Sequence, residues 1–119
     1  MGKRTVPDNW ATWSAPPDSE SSTPHVLFCE DTAQTLSLSA PCRIFGFELE
    51  PNPYDDFDYD VDFILSLDGT IVRTISMTVN GYQGARLFAG EFTGGCSFDT
   101  IEIVGGAEFA IAQVRYALA

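Results

Sequence analysis

Apolar and polar residues alternate along most of this chain with a period of two. The clearest case is the segment 56–67, where apolar side chains occupy every second position and the positions between them begin with four aspartates: Asp56, Asp58, Asp60 and Asp62. A period of two indicates a β-strand with one buried face and one solvated face. The pattern therefore predicts a strand that carries a row of carboxylates, which we call the acidic row.

Similar alternation continues to the end of the chain, and no stretch shows a helical period. Glycine-containing turn signals separate the stretches, at Asp68-Gly69, Asn80-Gly81, Gly94-Gly95 and Gly105-Gly106. Turn signals every eight to twelve residues predict an all-β fold, a single jelly-roll-like β-sandwich of about seven to nine antiparallel strands. The last stretch, residues 109–118, is apolar on both faces, so we expect it to lie centrally or to be covered.

The first 25 residues differ from the rest because they are rich in proline and serine. This composition predicts an extended N-terminal segment, residues 1–25, that packs on or leads into a β-sandwich domain of residues 26–119. Large aromatics are rare in disordered tails, so Trp10 and Trp13 are expected to attach the segment to the domain. The segment lacks the apolar stretch of a secretory signal peptide, and the chain has no apolar run long enough to span a membrane.

Negative charge is concentrated in one part of the chain. The formal charge is −11, from 17 acidic and six basic residues. Seven of the acids and no base lie between residues 48 and 62. Such a patch repels phosphate backbones and anionic lipids, so neither nucleic acid nor an anionic membrane surface is expected as a partner. Membrane insertion is not expected either, because the chain has no apolar run long enough. The arginines on predicted strands are expected to pair with the acidic row or with Glu48 and Glu50: Arg43, Arg73, Arg86 and Arg115.

Three cysteines, Cys29, Cys42 and Cys96, show no metal-binding spacing. Free cysteines are often buried, so they can be small core residues. A Cys29–Cys42 disulfide and an intermolecular link through the odd thiol are the alternatives.

The acidic row is the one candidate for metal chemistry. Ca²⁺ binds six to eight oxygens at short distance, whereas alternate residues on a strand lie about 6.6 Å apart. A calcium site is therefore expected only where the strand begins, with Asp55, Asp56, Asp58 and Asn52 as ligands. The alternative is a solvated outer face that discourages edge pairing.

Four aromatic residues fall in predicted loops or in the N-terminal segment: Trp10, Trp13, Tyr54 and Tyr82. They are candidates for ligand binding, as platforms on which sugar rings stack. The alternative is that they close the open ends of the core.

Signals for catalysis are weak. His25 stands alone, the chain has no nucleophile elbow, and the glycine pairs lack a following helix. We therefore expect a protein that is not an enzyme.

Three stretches occur together in the order 45–52, 84–89 and 109–117. This order resembles small uncharacterised bacterial β-sandwich proteins of Firmicutes type, and more distantly the β-sandwich domains of surface proteins with PEP-CTERM sorting signals. The resemblance implies a jelly-roll-like sandwich with a non-catalytic role at the cell surface or outside the cell. This chain shows neither a signal peptide nor a sorting helix, and its localisation is left unknown.

Two functions follow as expectations. The first is a non-enzymatic surface, assembly or binding module, which can act as a homo-oligomer. The second is a carbohydrate-binding module that uses loop aromatics, with calcium as a structural ion.

Overall fold

The computed structural model describes residues 2–92 and 96–118, and within them it contains eight β-strands and no helix. All pairings between strands are antiparallel. The all-β prediction is thereby confirmed, while the predicted Gly94-Gly95 turn lies outside the described residues. No described segment could cross a membrane as a helix. The strands are β1 (Gly2–Thr5), β2 (His25–Cys29), β3 (Ala33–Pro51), β4 (Asp58–Leu67), β5 (Thr70–Asn80), β6 (Arg86–Glu91), β7 (Phe98–Val104) and β8 (Phe109–Leu118).

Strand β3 is 19 residues long and belongs to both layers of the fold. Its first part, from Ala33 to Ser37, pairs with β7, and its last part pairs with β8 on one side and β6 on the other. The hydrogen-bonded order is β1-β2-β8-β3-β7-β4-β5, with β6 added to β3. One layer therefore contains β1, β2, β8, β6 and the second half of β3, and the other contains β7, β4, β5 and the first half.

Strand β3 is continuous although its pairing with β7 is interrupted. The pairing register jumps from Ser37 to Cys42, so the residues between them are not paired with β7. Pro41 lies in that gap, where its missing N–H group removes no ladder hydrogen bond. A proline is therefore tolerated inside this long strand.

Phenylalanine side chains from the two layers meet in the core. Phe63 of β4 stacks on Phe88 of β6 with ring centroids 3.9 Å apart, and its ring lies 5.0 Å from that of Phe47 in β3. Because β4 and β6 share no hydrogen bonds, this contact joins the layers by packing alone. Phe45 and Phe47 of β3 are both buried in this core.

The acidic row faces a row of donors on the neighbouring strand. Val61, Phe63 and Leu65 of β4 are buried as predicted, whereas Tyr59 and Leu67 are half-buried and Phe57, just before the strand, is exposed. The carboxylates on its other face accept hydrogen bonds from β5: Asp58 from Asn80 at 2.8 Å, Asp60 from Thr78 at 3.0 Å and Asp62 from Ser76 at 2.6 Å. The idea that the row protects an exposed edge is wrong, because β4 lies between β7 and β5 and it is β5 that forms the edge.

The backbone confirms the predicted turn at Asp68-Gly69 and shows a second glycine with a positive φ, Gly84. Asp68 and Gly69 join β4 to β5 with φ of 50° and 81°, as a tight two-residue hairpin turn requires. Gly84 has φ of 69°, and a Cβ at this position would lie only 2.6 Å from Ser14 Oγ. Both a positive φ and a close approach therefore favour glycine at position 84.

The N-terminal segment covers the outer face of one layer. It contains a strand that the sequence did not predict, β1, which pairs with β2. Beyond β1, the segment contributes Val6, Trp10 and Trp13 to a second buried cluster, together with Val26, Phe28, Ala85, Ala110 and Ala112. Strand β8 is thus central, between β2 and β3, and its first half is covered on both faces. Burial explains the apolar character of this first half, whereas Val114, Tyr116 and Leu118 in the second half are exposed, so the predicted cover extends over only part of the strand.

Candidate functional site

Two buried glutamates of β3 bind the indole groups of the N-terminal segment. Glu48 and Glu50 alternate with Phe47 and Leu49, so they point away from the core and toward the covering segment. Trp13 Nε1 donates to Glu48 Oε1 at 2.8 Å, and Trp10 Nε1 donates to Glu50 Oε1 at 2.9 Å. Each carboxylate thus receives a hydrogen bond from one tryptophan.

The carboxylate of Glu48 has partners on both oxygens. Besides Trp13, it accepts from the backbone N–H of Glu20 at 3.0 Å and from Arg115 at 3.5 Å. Arg115 also binds the Glu20 carboxylate at 2.6 Å. The expected pairing of Arg115 with Glu48 is confirmed. The network fixes the end of the N-terminal segment onto β3 and β8, and it satisfies a fully buried charge.

The carboxylate of Glu50 is satisfied on one oxygen. Its Oε1 accepts from Trp10 and from Thr12 Oγ1 at 3.1 Å, while its buried Oε2 has no hydrogen-bond partner among the described residues. Burial raises the pKa of Glu50 from its ordinary value of 4.5 to about 7, against the opposing effect of the two hydrogen bonds. Glu50 lines a cleft of about 280 Å³, which we call the Glu50 cleft. Its other walls are Arg4, Asn9, Trp10, Ala11, Thr12, Pro51, Asn52, Tyr54 and Gly81.

This pKa gives a prediction for stability. The unfolded chain releases the Glu50 proton near 4.5, whereas the folded protein holds it to about 7. The neutral carboxyl of Glu50 therefore makes its full contribution to stability below the unfolded-state pKa. As the pH rises through the folded-state pKa this contribution is lost, and the free energy of unfolding falls by about 1–3 kcal/mol. Urea unfolding of wild type and Glu50→Gln, between about pH 4 and pH 8, measures it. The wild type should lose stability relative to the variant across this window, and a constant difference would contradict the shifted titration.

A second depression lies beside the first and carries two exposed tyrosines. The side chains of Tyr54 and Tyr82 are 76% and 55% exposed, and their rings meet edge to face with centroids 4.7 Å apart. They border a groove of about 420 Å³, the tyrosine groove. Its other walls are residues 12–16 of the N-terminal segment, Asp18, Gly81, Gln83 and Gly84. The groove therefore forms between the N-terminal segment and the loops that follow β3 and β5.

Tight packing of the two loops brings the tyrosines together. A Cβ on Gly81 would overlap the backbone carbonyls of Pro53 and Asp55, so only glycine allows this approach. Asn80 Oδ1 accepts from the backbone N–H of Tyr82 at 2.8 Å and holds the turn. On the opposite wall, Arg86 binds Asp18 at 3.1 Å. The tyrosine groove and the Glu50 cleft share Thr12, Tyr54 and Gly81, so the two depressions adjoin.

The four aromatic candidates are thus used in two ways. Tyr54 and Tyr82 present their rings to solvent at one groove. Trp10 and Trp13 are 7% and 9% exposed and hold the N-terminal segment in place. The sequence predicted Glu50 only as a partner for an arginine, and its burial against Trp10 was not predicted because no local pattern signals it.

The candidate calcium ligands are bound to protein groups. Both oxygens of Asp55 accept from the Tyr59 hydroxyl, at 3.1 and 2.9 Å, while Asp56 and Asp58 share the Asn80 amide. Asn52 lines the Glu50 cleft instead. Over residues 2–92 and 96–118, no group of three or more His, Cys, Asp or Glu side chains could hold a metal ion. Calcium binding by Asp55, Asp56, Asp58 and Asn52 stays a prediction from the sequence.

The cysteines are free thiols in this structure, so no Cys29–Cys42 disulfide is formed. Cys29 and Cys42 are buried and Cys96 is exposed. Burial raises the pKa of Cys29 to about 11 and also raises that of Cys42. The two buried thiols are therefore poor nucleophiles at neutral pH.

Comparison with known proteins gives little to add. No protein-family model matches the chain, and no curated protein matches it. A similar solved structure is the crystal structure of the enzymatically active domain of bacteriophage CBA120 tailspike protein 4, at 20% sequence identity and a TM-score of 0.49. The alignment covers 99% of this chain and 18% of that chain. A likeness at this level carries no argument about function, and the resemblance noted from the sequence stays a prediction.

Proposed function

We propose that this chain is a non-enzymatic binding module that holds a carbohydrate in the tyrosine groove. The observation that carries the proposal is the exposed Tyr54–Tyr82 pair at the edge of a groove of about 420 Å³. Aromatic rings prefer burial, so two adjacent exposed rings beside a concave surface mark a place where a ligand gains by covering them. Sugar rings suit such a surface because their C–H faces stack on aromatic rings while their hydroxyls reach polar groups.

Polar groups on the groove wall fit this ligand class. Asp18 can accept hydrogen bonds from hydroxyls, and the Gln83 amide can both donate and accept. The net charge of −11 opposes the approach of anionic ligands. The groove therefore favours a neutral sugar over an acidic one.

The Glu50 cleft supports binding rather than hydrolysis. Glycosidases generally use a pair of carboxyl groups that flank the bond to be cleaved. Among the described residues that line this cleft, Glu50 is the one carboxylic acid. Its unusual pKa is accounted for by burial under the N-terminal segment, with no reaction required.

Alanine substitution of the tyrosines tests the proposal. The probes are neutral gluco-, xylo-, manno- and malto-oligosaccharides of one to four units, measured by calorimetry. We expect the wild type to bind at least one series, and Tyr82→Ala and Tyr54→Ala each to weaken that binding about tenfold, since each removes one stacking surface.

The matched control is Phe57→Ala. Phe57 is also an exposed aromatic residue, at 60%, but it lines neither depression. Its substitution should leave affinity unchanged. Wild-type protein that binds none of the probes, or tyrosine variants that bind as well as the wild type, would overturn the proposal.

Self-association is a second candidate function, and strand β5 favours it. This strand forms an edge of the sheet and exposes Ile71 and Val72 at 63% and 43%. An edge with apolar side chains can pair with a second copy. Light scattering should then show a dimer or larger species that Val72→Lys disrupts, whereas a strict monomer at high concentration would remove this candidate.

A further inference from the structure

Glu50, in the wall of the Glu50 cleft, has one buried oxygen, Oε2, that forms no hydrogen bond with any described residue. Glu50 is 6% exposed, and both local donors, Trp10 and Thr12, bind the same oxygen. Buried polar atoms in folded proteins nearly always have a hydrogen-bond partner. Oε2 lacks one among the described residues and belongs to a side chain that lines an open cleft of about 280 Å³. An acceptor in this position is suited to a donor brought by a ligand.

We infer that the Glu50 cleft is a second sugar site, in which Glu50 Oε2 accepts a hydrogen bond from a hydroxyl of a neutral sugar unit. The inference rests on the proposed function, because this unit would be joined to the one held in the tyrosine groove. The two depressions share Thr12, Tyr54 and Gly81, so a chain of linked sugars can pass over Tyr54 from one to the other. The ligand class is thereby narrowed to neutral oligosaccharides of at least two units.

The walls of the cleft fit a hydroxylated and uncharged group. Trp10 and Tyr54 supply aromatic surface, while Asn9 and Asn52 carry amides that can donate or accept. Arg4 is a charged group on the wall, and its guanidinium lies 4.6 Å from the Phe28 ring centroid and donates to the Asn9 carbonyl oxygen at 3.4 Å. Because Arg4 and the Glu50 carboxylate have opposite charges, each repels the ions that the other attracts, and the wall favours neither a cationic nor an anionic ligand. A neutral hydroxyl meets neither penalty.

The titration of Glu50 offers a readout in the unmodified protein. Arg4 and Tyr54 are the other titratable or charged side chains on the wall of the cleft. Burial holds the Glu50 pKa at about 7 in the free protein. A ligand hydroxyl that donates to Oε2 stabilises the ionised carboxylate, so binding should lower this pKa.

The variant Glu50→Gln tests the site with the same four probe series. Glutamine keeps an oxygen for Trp10 and Thr12 but places an NH₂ group where the free acceptor was. We expect the wild type to bind sugars of two or more units about tenfold more tightly than a single unit. Glu50→Gln should remove this gain and leave the affinity for the single unit unchanged. Asp60→Asn is the matched control, because it also removes one negative charge but lies on the acidic row, outside both depressions.

The outcomes separate the two proposals. If Glu50→Gln binds every chain length as the wild type does while Tyr82→Ala loses binding, the second site is wrong and the tyrosine groove stands. If the wild type binds no probe, both proposals fail. Side-chain ¹³C NMR of the wild-type protein gives an answer even where the variant does not fold. The pKa of Glu50 should fall when the longest bound oligosaccharide is added, and an unchanged pKa would overturn the second site.

Discussion

Replacing Phe63 with alanine is expected to lower the free energy of unfolding by about 3–5 kcal/mol. Phe63 is fully buried in β4 and stacks on Phe88 of β6 at 3.9 Å between ring centroids. It also contacts Phe47 in β3. The substitution removes a ring that packs against the opposite layer and leaves a cavity between the two layers. The strands on either side cannot close this cavity without breaking their ladders.

Urea unfolding measures this loss, and Phe57→Ala is its control. Phe57 immediately precedes the same strand but is 60% exposed, so its truncation should change stability by less than about 0.5 kcal/mol. Equal effects of the two substitutions, or a loss below about 1 kcal/mol for Phe63→Ala, would contradict the packing of the two layers through this ring.

Replacing Trp13 with alanine is expected to release the N-terminal segment and to cost about 3–5 kcal/mol. Trp13 is 9% exposed and donates its indole N–H to Glu48, which is fully buried. The variant loses the packed ring and also leaves a buried carboxylate oxygen without its donor, which adds to the cost. Because residues 12–16 form one wall of the tyrosine groove, the same variant should lose ligand binding.

Hydrogen exchange shows whether the segment is released. The backbone N–H of Glu20 binds Glu48 and should lose its protection in Trp13→Ala. Trp13→Phe is the matched variant, since it keeps an aromatic ring and removes the N–H donor, and it should cost about 1–3 kcal/mol. Unchanged protection of Glu20 together with a loss below about 1 kcal/mol would show that Trp13 does not hold the segment.

Local patterns were enough to predict much of the fold. Val61, Phe63 and Leu65 follow a strict period of two, and the pattern alone predicts that they are buried. Asp68-Gly69 is likewise a local signal, since few residues adopt two successive positive φ values. The continuous β3 was not predictable in this way, because its passage from one layer to the other depends on the strands beside it.

The candidate site was only half predictable for a related reason. Tyr54 and Tyr82 could be proposed as loop aromatics, but their contact depends on how Gly81 packs against a distant loop. The outer face of a sandwich is usually solvated, so Glu48 and Glu50 read as surface charges. They are buried because the N-terminal segment covers them. Trp13 lies 35 positions before Glu48, and Trp10 lies 40 positions before Glu50. No local pattern contains that information.

Chemical-shift mapping of a bound oligosaccharide tests the central claim most directly. ¹⁵N-labelled wild-type protein is titrated with whichever neutral oligosaccharide series it binds. The largest changes should fall on residues 12–16 and Asp18, on Tyr54 and on residues 81–84, which surround the tyrosine groove. Changes confined to the acidic row, to the β5 edge, or to any face away from these residues would contradict the assignment of the binding site.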